Sequence, residues 1–303
     1  MNHHIPIMKD EVIDLLDIKS KGIYMDCTIG FGGHSLNILE KLGPSGQLIG
    51  IDLDPYALEK TKEKLNKHNN ISLHNSSYSA FPQILEKMGI KKVDGILFDL
   101  GISSYQVDTE HRGFSYMKDA SLDMRFNNKN KSQLSAKDII NQINLDDLIY
   151  AFKKYTNLKR PTYLAEKIIE YRKTNKINTT FDLRNTIKLI VKSDSYKILS
   201  QIFQALRIIV NNEIEILKKT LISTLDYLKI GVRIAIISFH SIEDRIVKHF
   251  LKSTTIYKYN SYDIEYQNLN KGFKLITKKP ILETSTINSR ARSAKLRVAE
   301  RIV

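Results

Sequence analysis

A glycine-rich segment with a carboxylate downstream is the first candidate for chemistry. Residues 29–35 read Ile-Gly-Phe-Gly-Gly-His-Ser and follow a short apolar run. Glycines allow a backbone to approach a ligand closely, and the free amides of a helix that begins there bind anionic groups. Asp52 lies 20 residues after Gly32 at the end of the next apolar run, where a carboxylate can accept hydrogen bonds from ribose hydroxyls. The spacing predicts a nucleotide-type cofactor site, and it leaves Asp54 as an equal alternative to Asp52.

Two more polar residues follow apolar runs further along the chain. Asp99 lies near the end of the run 93–100, and His240 directly follows the run 231–239. The carboxyl ends of parallel strands open onto one crevice, so both side chains are predicted to face the same site as Asp52. The sequence therefore favours a functional role for Asp99 and a place near the substrate for His240.

A parallel sheet would bring these residues together, and the sequence has the corresponding pattern of short apolar runs that alternate with helical segments. Strands are predicted at Ile23–Cys27, Gln47–Asp52, Ile71–His74, Val93–Leu100, Gly231–Phe239, Phe273–Thr277 and Ala294–Arg301, with helices near 35–42, 55–67, 79–88 and 242–252. A Ser-x-x-Asp pattern at Ser241 and Asp244 predicts the cap of the last of these helices. The predicted fold class is α/β with a mostly parallel sheet.

The middle of the chain has a different composition. Residues 114–230 contain no glycine and one proline, Pro161, and apolar residues recur there at helical spacing. The sequence predicts an all-helical domain over 108–205, inserted into a sheet domain formed by 1–107 and 206–303.

The formal net charge of +14 is unevenly distributed, which indicates a polyanionic partner. Lys and Arg number 11 against 13 Asp and Glu in residues 1–107, 18 against 11 in 108–205, 9 against 7 in 206–270 and 9 against 2 in 271–303. The planar fork of arginine suits phosphate, so Arg290 and Arg292 in the tail are candidates for contact with a polyanion such as nucleic acid. A solvated lysine-rich surface is the alternative interpretation of the middle segment.

Composition excludes several other classes of protein. With 42% hydrophobic and 26% charged residues, the chain is typical of a soluble globular protein and not of a collagen-like or disordered one. Its single cysteine, Cys27, lies in an apolar run and is predicted to be buried, which excludes intrachain disulfides and cysteine-rich zinc sites. No apolar run approaches the ~20 residues of a membrane-spanning helix, and the amino terminus lacks a secretion signal. We expect a cytoplasmic protein with no membrane partner.

Eight motifs, taken together and in order, resemble one family of methyltransferases. They are Gly-Phe-Gly-Gly-His-Ser at 30–35, Ile-Asp-Leu-Asp-Pro at 51–55, Phe-Asp-Leu-Gly-Ile-Ser-Ser at 98–104, Arg-Gly-Phe-Ser-Tyr at 112–116, Leu-Asp-Met-Arg at 122–125, Phe-Gln-Ala-Leu-Arg-Ile at 203–208, Ile-Ser-Phe-His-Ser-Ile-Glu-Asp-Arg at 237–245 and Arg-Ala-Arg-Ser at 290–293. Over nearly its whole length the chain resembles the ribosomal RNA small subunit methyltransferase H (MraW) family. The resemblance implies a seven-stranded Rossmann-like class I methyltransferase sheet with S-adenosyl-L-methionine as methyl donor. It also implies methylation of the position-4 amino nitrogen of a decoding-region cytidine in 16S rRNA, within the assembled small ribosomal subunit.

Position by position, the resemblance also implies a set of cofactor contacts. They are Gly32, Gly33, His34, Asp52, Tyr78, Asp99 and Gln106. The resemblance thereby selects Asp52 over Asp54, and it assigns to Tyr78 an aromatic ring that can stack on adenine.

For the reaction itself, an activated methyl donor requires no metal, whereas the target amine needs oxygen acceptors that orient it. Asp99, Ser103 and His240 are the catalytic candidates. Asp99 can accept a hydrogen bond from the target amine or from the cofactor's amino group, and His240 can act as a proton acceptor. Arg112 and Arg125 either contact RNA or brace the junction between sheet domain and insert.

Two other functions are compatible with such a fold. A nicotinamide-dependent dehydrogenase would use a similar sheet, but Ser35 occupies the place of its third glycine and no catalytic Tyr-x-x-x-Lys is evident. An RNA-binding ribosome-assembly factor on a degenerate methyltransferase fold would not need the Gly-Gly-His, Asp52 and Asp99 set. The sequence favours an RNA methyltransferase over both.

Overall fold

The computed structural model describes residues 6–192, 196–252, 272–284 and 292–303. The chain divides into two compact units, one formed by Met1–Gly101 with Ile216–Val303 and the other by Ile102–Glu215. The second unit begins six residues before the predicted insert 108–205 and ends ten residues after it. The reason is that Ile102 and Val210 pack in the core of this unit.

Among the described residues, the first unit contains an eight-stranded sheet. Its strands are β1 (Ile23–Asp26), β2 (Gln47–Asp52), β3 (Ile71–Asn75), β4 (Val93–Asp99), β5 (Leu228–Ser238), β6 (Phe273–Leu275), β7 (Ile281–Leu282) and β8 (Lys295–Arg301). Their order is β3-β2-β1-β4-β5-β8-β6, and β7 also pairs with β8. Strands β1 to β5 run parallel, whereas β8 is antiparallel to β5, β6 and β7. The predicted α/β fold with a mostly parallel sheet is confirmed, and the two-residue strand β7 was too short to predict.

Helices cover both faces of this sheet. They are α1 (Lys9–Leu16), α2 (Gly33–Lys41), α3 (Pro55–Lys64), α4 (Phe81–Lys87) and α12 (Ser241–Lys252), with a 3-10 turn at Tyr78–Ala80 and most of α11 (Glu213–Tyr227). Side chains of β4 alternate between two cores: Ile96 and Phe98 pack with α4, α11 and α12, and Leu97 packs with α1 and α2. Burial on both faces explains why the central parallel strands β1, β2 and β4 are largely apolar. Cys27 is buried in one of these cores, as predicted.

The strand order creates one crevice at the carboxyl ends of the central strands. Strand β1 has β2 on one side and β4 on the other, and ligands bind outside such a reversal of strand order. Asp26, Asp52 and Asp99 are the last residues of β1, β2 and β4, and Ser238 is the last residue of β5. Four polar residues at strand ends therefore lie along one edge of the first unit.

The second unit is built from helices in its described part. These are α5 (Ser104–Asp108), α6 (Ala136–Gln142), α7 (Leu145–Tyr155), α8 (Pro161–Arg172), α9 (Thr180–Val191) and α10 (Tyr196–Asn211), with a 3-10 turn at Glu110–Arg112. Their apolar faces form a separate core that includes Leu148, Ile168, Leu183 and Ile202. Pro161 is the first residue of α8, a position at which its missing N–H has no helical partner in any case. None of the described helices of either unit is long and apolar enough to cross a membrane.

Candidate functional site

Asp52, at the end of β2, is held by the backbone on both sides of its carboxylate. The Gly30 N–H donates to Asp52 Oδ2 (2.8 Å), and the Asp54 N–H donates to Asp52 Oδ1 (2.8 Å). Each oxygen keeps a second lone-pair direction for a further donor. Burial raises the pKa of Asp52 to about 6, although the backbone hydrogen bonds from Asp54 and Gly30 oppose this shift. The result is a fixed, half-buried carboxylate with acceptor capacity left.

Asp54, the alternative that the spacing leaves open, caps a helix. Its side chain is buried and accepts the Tyr56 N–H (3.1 Å) at the start of α3, and Pro55 follows as the first helical residue. Asp52 is therefore the acidic residue of this pair that can serve a ligand.

The glycine segment contains two residues in the left-handed backbone region. Gly30 and Gly32 have φ values of +51° and +69°, which L side chains rarely adopt. A Cβ on Gly32 would also lie 3.0 Å from Thr61 Cγ2, and one on Gly33 would lie 3.2 Å from Pro6 Cβ. Helix α2 begins at Gly33, so its free amides open next to the carboxyl end of β1.

Asp26, at the end of β1, is a candidate that the sequence did not indicate. It is buried, and it accepts hydrogen bonds from Ser35 Oγ (2.7 Å) and from the Thr28 N–H (3.3 Å). Burial raises the pKa of Asp26 to about 6 in spite of these two bonds. Ser35, in the place of the third glycine of a dinucleotide site, thus ties α2 to β1. A carboxylate that ends a buried strand directly before a glycine loop is the signal that could have identified it.

Asp99, at the end of β4, has acceptor capacity that no described residue uses. Its N–H donates to Thr28 Oγ1 (2.6 Å), which fixes its backbone. Its Oδ1 is buried and lacks a hydrogen-bond donor among the described residues, and its Oδ2 lies 3.8 Å from Nε2 of the buried His34. Burial, followed by the charges of Asp26 and Glu243, raises the pKa of Asp99 to about 8. Since 28% of the side chain is exposed, the carboxyl group is still accessible to a ligand.

His240, which follows β5, caps helix α12. Its Nδ1 accepts the Glu243 N–H (3.3 Å), while Glu243 Oε2 accepts the N–H groups of Phe239 (2.9 Å) and His240 (3.3 Å). This is the reciprocal arrangement of a capping box. Because Nδ1 accepts, the proton of a neutral ring is assigned to Nε2, which lies 3.0 Å from Glu243 Oε1. In this tautomer neither ring nitrogen offers a lone pair to a substrate.

The cap predicted at Ser241 and Asp244 is wrong by one residue, because the His240–Glu243 pair occupies that role. Asp244 instead accepts hydrogen bonds from Arg297 Nε (2.7 Å) and Lys295 Nζ (3.2 Å) of β8. Burial opposes the change, but these bonds lower the pKa of Asp244. The sequence contains two possible caps offset by one residue, His240 with Glu243 and Ser241 with Asp244. They could not be distinguished without knowing that β8 supplies the partners of Asp244.

Tyr78 begins the 3-10 turn that follows β3, and its side chain is half-buried. Its ring packs edge-on against Phe98, with 5.7 Å between ring centroids and 86° between ring planes. Because Phe98 immediately precedes Asp99 in β4, the ring is held beside the carboxyl end of that strand.

In the second unit, Ser103 and Gln106 form a capping box at the start of α5. Ser103 Oγ accepts the Gln106 N–H (3.2 Å), and Gln106 Oε1 accepts the Ser103 N–H (3.1 Å). Through these two bonds both side chains take part in the cap of helix α5. A catalytic role for Ser103 and a cofactor contact for Gln106 stay predictions.

Arg112 and Arg125 have partners inside the second unit. Arg112 is buried, and its Nη2 donates to the carbonyls of Arg125 (3.1 Å) and Phe126 (2.7 Å). Arg125 forms a bidentate pair with Asp123 (2.8 and 2.7 Å) and donates to the Asn130 carbonyl (2.8 Å). These contacts lie within the second unit and stabilise its own structure. Contact with RNA and bracing of the junction both stay predictions.

Of the two tail arginines, only one can be placed. Arg292 is exposed shortly before β8, and Arg290 lies outside the described residues. The candidates of the first unit that lie at the carboxyl ends of the strands are Gly32, Gly33, His34, Asp52, Tyr78, Asp99 and His240.

The whole chain is similar to known proteins. Residues 1–302 match the model of the MraW methylase family. The chain belongs to the MraW methylase family. Proteins named Ribosomal RNA small subunit methyltransferase H from Clostridium botulinum (strain Loch Maree / Type A3) and Mycoplasmopsis synoviae (strain 53) are 44% and 42% identical to it, and each alignment covers 99% of both chains.

Solved structures resemble this member of the MraW methylase family more remotely. An rRNA methylase from Streptococcus thermophilus has a TM-score of 0.42 at 13% identity, with 97% of this chain and 94% of that chain covered. Fibrillarin from Aeropyrum pernix, in complex with S-adenosyl-L-methionine, has a TM-score of 0.42 at 9% identity, with 94% and 68% covered. Because these similarities are low, the fold of the chain is defined here by its own strand order.

Proposed function

We propose that this chain transfers a methyl group from S-adenosyl-L-methionine to the position-4 amino nitrogen of a decoding-region cytidine in 16S rRNA. The proposed substrate is the assembled small ribosomal subunit in the cytoplasm. Membership of the MraW methylase family and the names of the relatives support this proposal. The structural observation that carries it is the pair Asp52 and Asp99, two carboxyl groups at neighbouring strand ends with acceptor capacity left.

The residues at the strand ends fit S-adenosyl-L-methionine. Asp52 has an acceptor direction left on each oxygen for the two ribose hydroxyls. The buried Oδ1 of Asp99 needs a donor, and an amino group supplies one. Tyr78 offers an aromatic ring to the adenine. In this proposal the amides that open α2 at Gly33 and His34 bind the carboxylate of the cofactor.

When bound, the cofactor supplies an electrophilic methyl group on a positively charged sulfur. The task of the protein is then to hold the cytidine nitrogen in line and to accept its N–H hydrogens. Since Oδ1 of Asp99 is taken by the amino group of the cofactor in this proposal, Asp99 performs this task through Oδ2, where a carboxylate favours the positive charge that develops on the nitrogen. With a pKa of about 8, Asp99 is largely protonated at neutral pH, so the positive charge of the ligand must lower that pKa before it can act.

His240 and Ser103 complete the proposed set around the base. His240 is oriented by Glu243, and its Nε2–H is a donor in the tautomer that the capping box selects. Ser103 follows Asp99 on the same connection and fixes the start of α5. We assign positioning roles to both. In this proposal the proton that the nitrogen loses as its bond to the methyl carbon forms passes to Asp99, whose raised pKa allows it to hold that proton.

The proposed RNA contacts come from the second unit and the tail. Residues 102–215 hold 19 Lys and Arg against 13 Asp and Glu, a net charge of +6. Arg290 and Arg292 bind phosphate in this proposal, while Arg112 and Arg125 keep the shape of the unit. The target cytidine must be unpaired or flipped out of its stack before its amino group can reach the methyl donor.

Methyl transfer with identification of the product nucleoside tests the proposal. Protein and methyl-labelled S-adenosyl-L-methionine are incubated with small ribosomal subunits from cells that lack this enzyme, and with naked 16S rRNA in parallel. We expect label in 4-methylcytidine at one decoding-region position, and more of it with subunits. Label in another nucleoside would refute the assigned base. No label on any RNA, with cofactor binding intact, would favour the assembly-factor alternative.

A further inference from the structure

Two aromatic rings of the second unit lie near one arginine, and a third ring stacks on one of them. We call this group of four residues the Arg184 platform: Tyr116, Phe181, Arg184 and Tyr196. The Arg184 guanidinium carbon lies 5.3 Å from the Phe181 ring centroid and 5.9 Å from the Tyr196 ring centroid. Tyr116 and Tyr196 are stacked, with 6.1 Å between centroids and 28° between planes. The platform thus combines one guanidinium group and three aromatic rings within a small area.

The platform is anchored on one side and open on the other. Tyr116 packs edge-on against Phe203 of the helical core (5.4 Å between centroids), and its carbonyl accepts a hydrogen bond from Arg184 Nη1 (3.4 Å). Tyr196 is 47% exposed, although one face of its ring is covered by Tyr116. A pre-ordered ring with this much exposed surface can stack on a further planar group without a large loss of conformational entropy.

The charges near the platform are those of a surface for a polyanion. Lys188 lies one helical turn after Arg184 on α9, Lys197 follows Tyr196 on α10, and both are exposed. Two acidic side chains of the region that the structure describes accept backbone N–H groups: Asp182 accepts the Thr179 N–H (2.9 Å), and Asp119 accepts the Phe181 N–H (3.3 Å).

We propose that the Arg184 platform stacks an unpaired base of the ribosomal RNA substrate, with Lys188 and Lys197 next to its phosphates. Unpaired RNA bases are commonly bound on aromatic rings and on arginine planes, and this mode tolerates any base because each has a π face. The platform would therefore contribute RNA affinity without selecting the methylated cytidine. This inference rests on the proposed function for the identity of its RNA partner.

The kinetic test compares Tyr196→Ala, Tyr196→Phe and the control Tyr163→Ala, whose tyrosine is 43% exposed on α8. We expect Tyr196→Ala to raise the KM for small subunits at least about 5-fold with kcat unchanged, because stacking contributes to RNA binding. Tyr196→Phe keeps the ring and should restore the wild-type KM. Tyr163→Ala should equal the wild type. A KM of Tyr196→Ala within about 2-fold of the wild type would overturn the proposal.

A fluorescence test is independent of activity and of the alanine variant. The chain has no tryptophan, so Tyr196→Trp and Tyr163→Trp each create a single reporter. We expect titration with a decoding-region 16S rRNA fragment to quench Tyr196→Trp emission strongly and Tyr163→Trp emission little. Equal quenching of the two would contradict base stacking at the platform. If the wild type methylates no RNA while Tyr196→Trp is quenched selectively, the proposed function fails and the RNA platform stands.

Discussion

The two units of the molecule differ in how their charged side chains are satisfied. In the sheet unit, Asp26, Asp52 and Asp99 end three adjacent strands, and burial raises the pKa of each. Ionisation of all three carboxyl groups is costly because they lie close together at a poorly solvated edge. A positively charged ligand lowers that cost. Carboxyl groups with raised pKa at the strand ends therefore indicate a binding site here more strongly than the glycines alone.

In the helical unit, by contrast, the interior arginines that the structure describes already have acceptors, which are backbone carbonyls for Arg112 and carboxylates for two others. Arg207 and Glu213 form a buried bidentate pair (2.8 and 2.8 Å), and Arg125 pairs with Asp123 in the same way. The motif arginines of this unit therefore maintain its structure. The comparison teaches that the RNA affinity proposed for this unit must come from its exposed side chains, which the motifs do not identify.

Asp99→Asn is expected to have the largest effect. Asparagine keeps the size of the side chain but not its charge, so we expect the rate of methyl transfer at saturating substrates to fall by about 10²–10³-fold. Single-turnover methylation of small subunits measures this rate, and a binding assay should show unchanged RNA affinity.

Asp94→Asn is the matched control for this variant, since Asp94 lies at the other end of β4 and pairs with Lys229 (2.8 Å). Its rate should stay within about twofold of the wild type. Equal rates for the two variants would contradict the claim that the carboxyl end of β4, and not the rest of the strand, forms part of the site.

The next largest effect is the pH dependence of cofactor affinity. Asp99 is mainly neutral below its pKa of about 8 and ionised above it. A cationic ligand prefers the carboxylate, so affinity for S-adenosyl-L-methionine should rise by up to about tenfold per pH unit from pH 6 to 8 and then level off. Calorimetric titrations between pH 6 and 9 test this, and Asp99→Asn should show a flatter profile. Wild-type affinity that does not change with pH would contradict the assignment.

The same shift determines how stability depends on pH. The folded pKa of Asp99 lies above the unfolded value of 3.8, so the folded state binds the proton more tightly between these values. The contribution of Asp99 to the free energy of unfolding therefore falls as pH rises from about 4 to 8. Chemical denaturation at several pH values should show a smaller decline in Asp99→Asn than in the wild type.

Burial explains which parts of the fold could be predicted from the sequence. The central strands β1, β2 and β4 are largely apolar because both faces of the sheet are covered there, and the predicted positions of β1 to β5 are confirmed to within one residue except that β5 begins three residues earlier, in a largely exposed segment. Helix α1 escaped prediction because half of its eight residues are charged, and β7 because it has two residues.

The candidate site divides in the same way. Asp52 and Asp99 could be predicted because each ends an apolar run. Asp26 was hidden because the apolar run continues through Cys27, one residue beyond the observed strand. The burial of Arg112 depends on the carbonyls of residues 125 and 126, a tertiary contact that no local pattern contains.

A smaller effect distinguishes bracing from RNA contact in the helical unit. Arg125→Ala should lower the free energy of unfolding by about 1–3 kcal/mol, because it removes charged hydrogen bonds to Asp123 and Asn130. Urea unfolding measures this loss, with the exposed Lys131→Ala as a neutral control. Unchanged stability together with weaker RNA binding would show that Arg125 contacts RNA and does not stabilise the helical unit.

The smallest effect concerns the tail. Arg290→Ala with Arg292→Ala should weaken RNA binding and reduce the slope of log affinity against log salt by about 1.4, or about 0.7 for each lost phosphate contact. Filter binding over a range of salt concentrations measures the slope. The pair Lys278→Ala with Lys279→Ala, also in the carboxyl-terminal segment, controls for net charge. If the slope falls equally in both double variants, the effect on RNA binding comes from the net charge of the segment and not from the two arginines.

The account depends most on cofactor binding at the carboxyl ends of β2 and β4. Titration of S-adenosyl-L-methionine into the wild type, Asp52→Ala and the exposed-surface control Glu59→Ala tests it directly. We predict at least about tenfold weaker binding to Asp52→Ala, from the loss of hydrogen bonds to the ribose, and wild-type affinity for Glu59→Ala. Wild-type affinity in a stably folded Asp52→Ala protein would contradict the account.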